Sequence, residues 1–365
     1  MEPFKNLFNN DSVKLLSSSI ARENKNFDQL QFNKNVLKEI SNLELKDRVR
    51  LIANCFHESS NQQYTENLKT ITSCIINYNL SGFQLWPFSQ YVESFGLKQS
   101  KVLQKSFKVL ELITEKFTSE FAIRDYINTY PTQSFSFLEK CSKSKNEHLR
   151  RFASEGSRPS LPWGKKITDI NQLKIFSSQV LESLKNDQSE YVRKSVANHI
   201  NDYNHIDHSF SLDILEKWSN EGVNQKLIRH ALRTLLKNGN PRALKIMGYR
   251  APKDISAAIT SLDAKTIIDG QSVGMKIEIT NLGTRDQNAL IDYIIHYPKK
   301  NGKYTTKVFR LKDTVLKAKS KLHIDKIISF KVVTVRSHHP GKYFIELQIN
   351  GKLFNKKSFI LNEKN

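Results

Sequence analysis

The chain has 365 residues, enough for two domains, and with 38% hydrophobic and 10% aromatic residues but only 13 Gly and 9 Pro it is excluded from the disordered, collagenous and low-complexity classes. Lys and Arg outnumber Asp and Glu by 57 to 36, a net charge of +21 that splits as +10 over residues 1–250 and +11 over 251–365. Two folded regions that are both basic predict a polyanionic partner, nucleic acid, gripped from two sides; a solvated basic surface is the plainer alternative. Cys55, Cys74 and Cys141 lack CxxC spacing, which excludes a disulfide framework and a four-thiolate metal site and predicts a reducing cytoplasm. The N-terminus has no signal core, and no apolar run reaches the roughly 18 residues that span a bilayer, so neither export nor membrane is expected.

From about residue 11 to 250 the apolar residues recur at helical spacing, as in Leu103, Phe107, Leu110, Ile113 and Phe117, or Leu227, Ile228, Ala231, Leu232 and Leu235. Polar breaks such as Asn220-Glu-Gly222 and Asn238-Gly-Asn-Pro241 separate the runs. Arg150, Arg193 and Arg229 head a shared local pattern and recur after 43 and then 36 residues, a period near that of helix-pair repeats of the HEAT type. After about residue 252 the period becomes 2: Val273, Met275, Ile277 and Ile279 alternate with small or polar residues, and so do Tyr343, Ile345, Leu347 and Ile349. Asn301-Gly302 and Asn350-Gly351 are hairpin signals. The expectation is an all-α HEAT-like solenoid over residues 1–251 and an immunoglobulin-like β-sandwich over 252–365.

The most distinctive segment is Arg150-Arg-Phe-Ala-Ser-Glu155-Gly-Ser-Arg158-Pro-Ser-Leu-Pro162-Trp163, in which a helix gives way to a Pro-rich loop. It resembles the SEGSRP and LPW signature of the AlkC family of DNA alkylation repair glycosylases. Tyr191-Val-Arg193-Lys-Ser-Val-Ala-Asn198-His-Ile-Asn201-Asp202 is similar to that family's VRRSVANHLND run, and Phe117-Thr-Ser-Glu120-Phe-Ala-Ile-Arg124 to its SxEFAxR element. The β region, with Ile295-His-Tyr and His339-Pro-Gly341, resembles the immunoglobulin-like domain that many members carry. Two positions depart: Ser160 stands where the family usually has Arg, losing a charge, and Lys194 replaces the second Arg of VRR, losing the planar fork.

The resemblance implies hydrolysis of the N-glycosidic bond of cationic alkylated bases, 3-methyladenine and 3-methylcytosine, in duplex DNA. A methyl group on a ring nitrogen makes the base a good leaving group, so the enzyme must chiefly stabilise an oxocarbenium-like sugar and deliver water, tasks that carboxylates perform in glycoside hydrolysis. Two unit charges 4 Å apart interact by about 4 kcal/mol at an effective dielectric of 20, so one or two placed carboxylates supply a substantial share of the acceleration. Asp202 is expected to handle the water, Glu155 to stabilise the cation, and Glu120 to contribute, with Trp163 packing on the lesion nucleotide. Arg150, Arg151, Arg158, Arg193, Lys194, Asn198 and Arg229, and in the β domain Arg336 and His339, are the expected DNA contacts of a monomer that needs no metal or cofactor.

Spacing alone also allows blander roles. Glu120 four residues before Arg124 reads as a surface ion pair, Glu155 before Gly156 as a helix end, Asp202 as a turn cap, and Trp163 as a buried loop anchor. Repeat arginines commonly bond neighbouring repeats. His199, His205 and His208 lack zinc spacing. The rival function is therefore a non-catalytic HEAT-repeat module that binds nucleic acid or an acidic protein.

Overall fold

The computed structural model describes residues 2–331 and 338–363, which fall into two compact units, Met1–Tyr203 and Asn204–Asn365. The first unit is helical: α1 (Asn10–Glu23), α2 (Gln29–Glu39), α3 (Leu45–Ser59), α4 (Tyr64–Asn77), α5 (Trp86–Gly96), α6 (Leu103–Lys116), α7 (Ala122–Thr129), α8 (Pro131–Ser142), α9 (Glu147–Glu155), α10 (Ile170–Leu184) and α11 (Glu190–Tyr203). Several starts are set by side chains that accept a first-turn N–H: Asn9 for α1, Asp28 for α2, Asn146 for α9 and Asp169 for α10. The predicted stripe on α6 is buried at Leu103, Phe107, Leu110 and Ile113, each removed from water to the extent of about 1.5–3 kcal/mol. Phe117 lies just past the helix end and is half-buried.

Packing follows a stacked-pair rule. α3 packs on α5 and α4 on α6; farther along, α8 packs on α10 and α9 on α11. In these pairs a helix meets the one two places on, as expected of helix-pair repeats, whereas α1 meets α4 and α6 meets α9. Arg150 and Arg193 occupy equivalent places in this stack: Arg150 donates to the carbonyls of Ser144 and Lys145, and Arg193 to those of Asp187 and Gln188, six and five residues before each arginine. The repeated arginine therefore closes the loop that leads into its own helix.

The second unit opens with α12 (His208–Asn220), α13 (Gln225–Ala231), α14 (Arg233–Lys237) and α15 (Pro241–Ile246). The sandwich strands are β1 (Ile255–Leu262), β2 (Thr266–Ile268), β3 (Ser272–Asn281), β4 (Gln287–Pro298), β5 (Tyr304–Leu316), β6 (Lys321–Ser329), β7 (Gly341–Ile349) and β8 (Lys352–Asn362). One sheet has the order β1-β3-β6 and the other β2-β8-β7-β4-β5; all pairings are antiparallel except β2 with β8. Both predicted alternations point inward, with Val273, Met275, Ile277 and Ile279 facing Tyr343, Ile345, Leu347 and Ile349 in one core.

Of the two hairpin signals, Asn350-Gly351 forms the two-residue turn between β7 and β8, with φ of 46° and 80°. Asn301-Gly302 instead sits in a five-residue loop between β4 and β5 in which only Gly302, at 74°, has positive φ. The short helices cluster with the sandwich because specific bonds tie them to it: Arg229 to Asp313 at 2.5 Å, Tyr249 to Asp313 at 2.7 Å, and Gln348 to the carbonyl of Lys237 at 3.2 Å. A Cβ on Gly239 would lie 2.6 Å from the Cα of Gly351, so backbone meets backbone there.

Candidate functional site

The C-terminal carbonyls of α9 have no partners within the helix and must find them outside. Ser157 Oγ donates to Ala153, His199 Nδ1 to Ser154, the Arg158 N–H to Glu155, and Arg124 Nη1 to Gly156. His199 is fully buried, and its Nε2 accepts from Ser177 Oγ, which in turn bonds Tyr203. Burial lowers the imidazole pKa to about 3, so this histidine is a neutral strut between α9, α10 and α11.

These struts hold α9 against α11, and three carboxylates meet two arginines beside them. Glu120, from the turn before α7, accepts from Arg151 Nη1 at 2.8 Å and from Thr118 Oγ1 at 3.0 Å. Arg151 Nη2 lies 3.8 Å from Glu155, and its guanidinium sits 4.8 Å from the Tyr191 ring centroid. Glu155 accepts from Arg158 Nη1 at 2.6 Å and from Ser195 Oγ at 2.6 Å. Arg158 then grips Asp202 with both arms, Nε and Nη2 each at 2.9 Å, and the Ser160 N–H reaches the same carboxylate at 3.3 Å. Glu120, Arg151, Glu155, Arg158 and Asp202 form a chain of alternating charge with one net negative, inside a protein of net charge +21.

Glu155, Arg158 and Asp202 are all buried. Burial raises the Asp202 carboxyl above its ordinary range, against the opposing pull of Arg158 and the Ser160 N–H. For Arg158 burial works against the charge, but its two carboxylates outweigh that and hold it firmly protonated.

The loop that follows carries Trp163, which is 71% exposed and has φ of +62°. A left-handed conformation costs a non-glycine residue about 1–2 kcal/mol, so something must hold it. Lys46 Nζ donates to the Trp163 carbonyl, and Lys165 Nζ pairs with Asp125 and lies 3.4 Å from Glu93. Behind the loop, Lys46, Trp86, Phe121 and Glu93 help to line a small pocket of about 70 Å³.

The sequence-derived residues thus separate into groups. Asp202, Glu155 and Glu120 are brought together. Trp163 is exposed rather than a buried anchor. Glu120 pairs with Arg151 and not, as spacing suggested, with Arg124, whose side chain points inward to backbone carbonyls. Among the expected DNA contacts, Arg158 is instead buried between two acids, because a guanidinium fork neutralises two carboxylates that would otherwise repel. Arg150 adds a bidentate bond to Asp187, at 2.6 and 3.0 Å, to its backbone bonds, and Arg193 serves its loop. Burial raises the Asp187 carboxyl, but Arg150 and the Ser189 N–H overcome this and hold it below its usual range. Arg229 is committed to Asp313 and Tyr249.

Lys194 is exposed, Asn198 is half-buried, and His339 is half-buried with its carbonyl accepting from Tyr343. Arg336 lies outside the described residues. Sequence reasoning passed over Ser195, whose bond to Glu155 is set by the packing of α11 on α9 and has no local signal in the sequence. Among the described residues no three His, Cys, Asp or Glu side chains are grouped to hold a metal ion, and no helix is long and apolar enough to cross a membrane.

A helix-pair repeat unit with a carboxylate–arginine chain buried at Glu155, Arg158 and Asp202, followed in sequence by a β-sandwich, defines the class. A family model described as the C-terminal Ig-like domain of the uncharacterised protein YhaZ matches residues 256–363. The uncharacterized protein YhaZ of Bacillus subtilis (strain 168) is 33% identical over 356 residues, 97% of this chain and 98% of that protein. The alkylpurine DNA glycosylase AlkC of Pseudomonas fluorescens, solved bound to DNA containing an abasic site analog, superposes with a TM-score of 0.92 at 29% identity, covering 99% of this chain and 100% of that one. The architecture is AlkC-type, with a C-terminal immunoglobulin-like domain. The chain belongs to the same family as YhaZ.

Proposed function

We propose that this protein is a monofunctional DNA glycosylase that removes cationic alkylated bases, 3-methyladenine and 3-methylcytosine, from duplex DNA by hydrolysis, as the first step of base excision repair. The observation that carries this reading is the convergence of Glu120, Glu155 and Asp202, from three separate segments, into one site of net negative charge within a strongly basic chain. Carboxylates repel a phosphate backbone, so their concentration in a chain of net charge +21 calls for a chemical reason. The full-length likeness to AlkC supports the same reading.

In this account the departing base needs little protonation, because its positive charge is neutralised as the C1′–N bond breaks. The sugar becomes cationic at the same moment, and Glu155 and Asp202 stabilise it through space. Asp202 orients the attacking water and accepts its proton. Its carboxyl, raised by burial, is a stronger base than an ordinary aspartate, while Arg158 keeps it ionised before the step. Glu120 keeps Arg151 aimed at Glu155. Exposed Trp163 packs on the lesion nucleotide, with its electron-rich face toward positive charge. Lys194 and Asn198 are the phosphate contacts in the helical unit, and His339 and Arg336 in the β domain.

The rival reading, a helix-repeat module that only binds, draws on the fact that each of the three acids has an arginine partner. Incubation of the protein with methylated duplex DNA, followed by chromatography of the supernatant, separates the two. Free 3-methyladenine and 3-methylcytosine support the glycosylase. Salt-sensitive binding with no released base supports the module.

A further inference from the structure

Arg124 ends a motif that the sequence singled out, yet the chemistry above leaves it unused. Its side chain is completely buried, and among the described residues it makes no ion pair and bonds only to backbone oxygens. Nη1 donates to the carbonyls of Gly156 at 3.0 Å and Arg158 at 2.7 Å, Nη2 to that of Pro159 at 3.3 Å, and Nε to that of Lys165. One guanidinium thus gathers both ends of the ten-residue stretch 156–165. That stretch holds the Arg158 fork, the Ser160 N–H that reaches Asp202, and the exposed Trp163.

The packing around Arg124 leaves the loop little freedom to settle elsewhere. A Cβ on Gly164 would lie 3.0 Å from Arg124 Cδ and 3.0 Å from Leu161 Cδ2, and one on Gly156 would lie 2.8 Å from Ile123. Next to Arg124, Asp125 takes Lys165 Nζ, so the start of α7 holds the far end of the loop by two adjacent residues.

We infer that Arg124 is a positioning residue for the excision reaction: its guanidinium fixes the 156–165 loop so that Arg158 presents Asp202 and Glu155, and Trp163 projects, in reactive register. This rests on the glycosylase reading for its kinetic consequence. The loop-fixing role itself is independent of that reading. A planar group with donors pointing several ways suits four carbonyls; a lysine ammonium reaches fewer and an apolar side chain none. A misplacement of about 1 Å at a reacting centre costs about 100-fold in rate.

The test uses the full-length chain with Arg124→Met, Arg124→Lys and Gly164→Ala. Single-turnover base release from methylated duplex is read as rate and amplitude separately, beside DNA affinity. A role in folding alone lowers amplitude, since fewer molecules are active. Positioning lowers the rate at full amplitude: about 100-fold for Arg124→Met, with at least a tenfold recovery in Arg124→Lys, and a loss in Gly164→Ala, where the arginine is kept but the loop is pushed off it. Affinity stays within a few-fold.

Acrylamide quenching of tryptophan fluorescence gives a readout that needs no activity, because Trp86 and Trp218 are 6% and 1% exposed and Trp163 dominates the response. Arg124→Met and Gly164→Ala should change it. If Arg124→Met does not fold, the lysine and Gly164→Ala variants carry the decision. Unchanged rates and unchanged quenching in the folded variants overturn the inference, as does a loss confined to amplitude. If the wild type releases no base, the glycosylase reading fails, and quenching alone decides whether Arg124 fixes the loop.

Discussion

Replacing Arg158 by Met removes the cation from the centre of the charge chain while keeping most of the side-chain length. Three charge-assisted bonds disappear, two to Asp202 and one to Glu155, and two buried carboxylates are left facing each other. Breaking a buried pair by removing one partner costs about 3–5 kcal/mol, most of it the penalty for the stranded charges. Urea unfolding at pH 7 should therefore show Arg158→Met less stable by that amount.

The pH dependence identifies the cause. In the variant the Asp202 carboxyl, already raised by burial, loses the opposing pull of Arg158 and rises further, so folding takes up protons and the deficit is largest above the folded pKa. It should shrink by at least about 1 kcal/mol from pH 7 to pH 5, since one pKa unit corresponds to about 1.4 kcal/mol. Adding Glu155→Gln and Asp202→Asn to Arg158→Met removes the stranded charges and should restore stability to within about 1–2 kcal/mol of wild type. A deficit that is flat with pH, or a triple variant no more stable than Arg158→Met alone, would show that packing and not charge accounts for the loss, and the electrostatic description of the site would fall.

Two further outcomes follow from single residues. His199 stays neutral in the fold down to about pH 3, whereas an unfolded histidine protonates near 6.5, so stability is lost as pH falls below 6.5. Between pH 7 and pH 5 the wild type should lose about 2 kcal/mol more than His199→Gln, and parallel urea-stability curves would contradict the assignment. Trp163→Gly relieves the left-handed strain and removes an exposed ring, so the thermal midpoint should hold or rise while base release falls. A fall in midpoint would mean that the ring packs on the loop rather than on DNA.

The two architectures were legible in the sequence because each rests on a period: burial at Leu103, Phe107, Leu110 and Ile113 follows a helix, and burial at Val273, Met275, Ile277 and Ile279 follows a strand. The positions of Glu155 and Asp202 came from the family resemblance, not from spacing. What spacing misjudged was pairing between repeats. Helical spacing points Glu120 at Arg124, but Glu120 lies in the turn before α7 and meets Arg151, 31 residues on.

Arg158 meets Asp202 across 44 residues, and Arg150 meets Asp187 across 37. Such partners are fixed by how α9 stacks on α11, which no local periodicity encodes. The same stacking explains why several arginines expected on phosphate are occupied within the protein: the repeat needs a donor for its loop carbonyls at that place, and Arg150 and Arg193 supply it.

The proposed function rests most directly on a part for Asp202 in base release. A defined duplex carrying one 3-methylcytosine, with enzyme in excess, isolates the chemical step for wild type and for Asp202→Asn, while DNA affinity is measured on the same samples. Free base and an abasic strand are expected from the wild type, with a rate at least about 100-fold lower for Asp202→Asn, which should bind the duplex as tightly or more tightly because one negative charge is gone. Equal rates for the two proteins, or an equal loss in rate and in affinity, would contradict it.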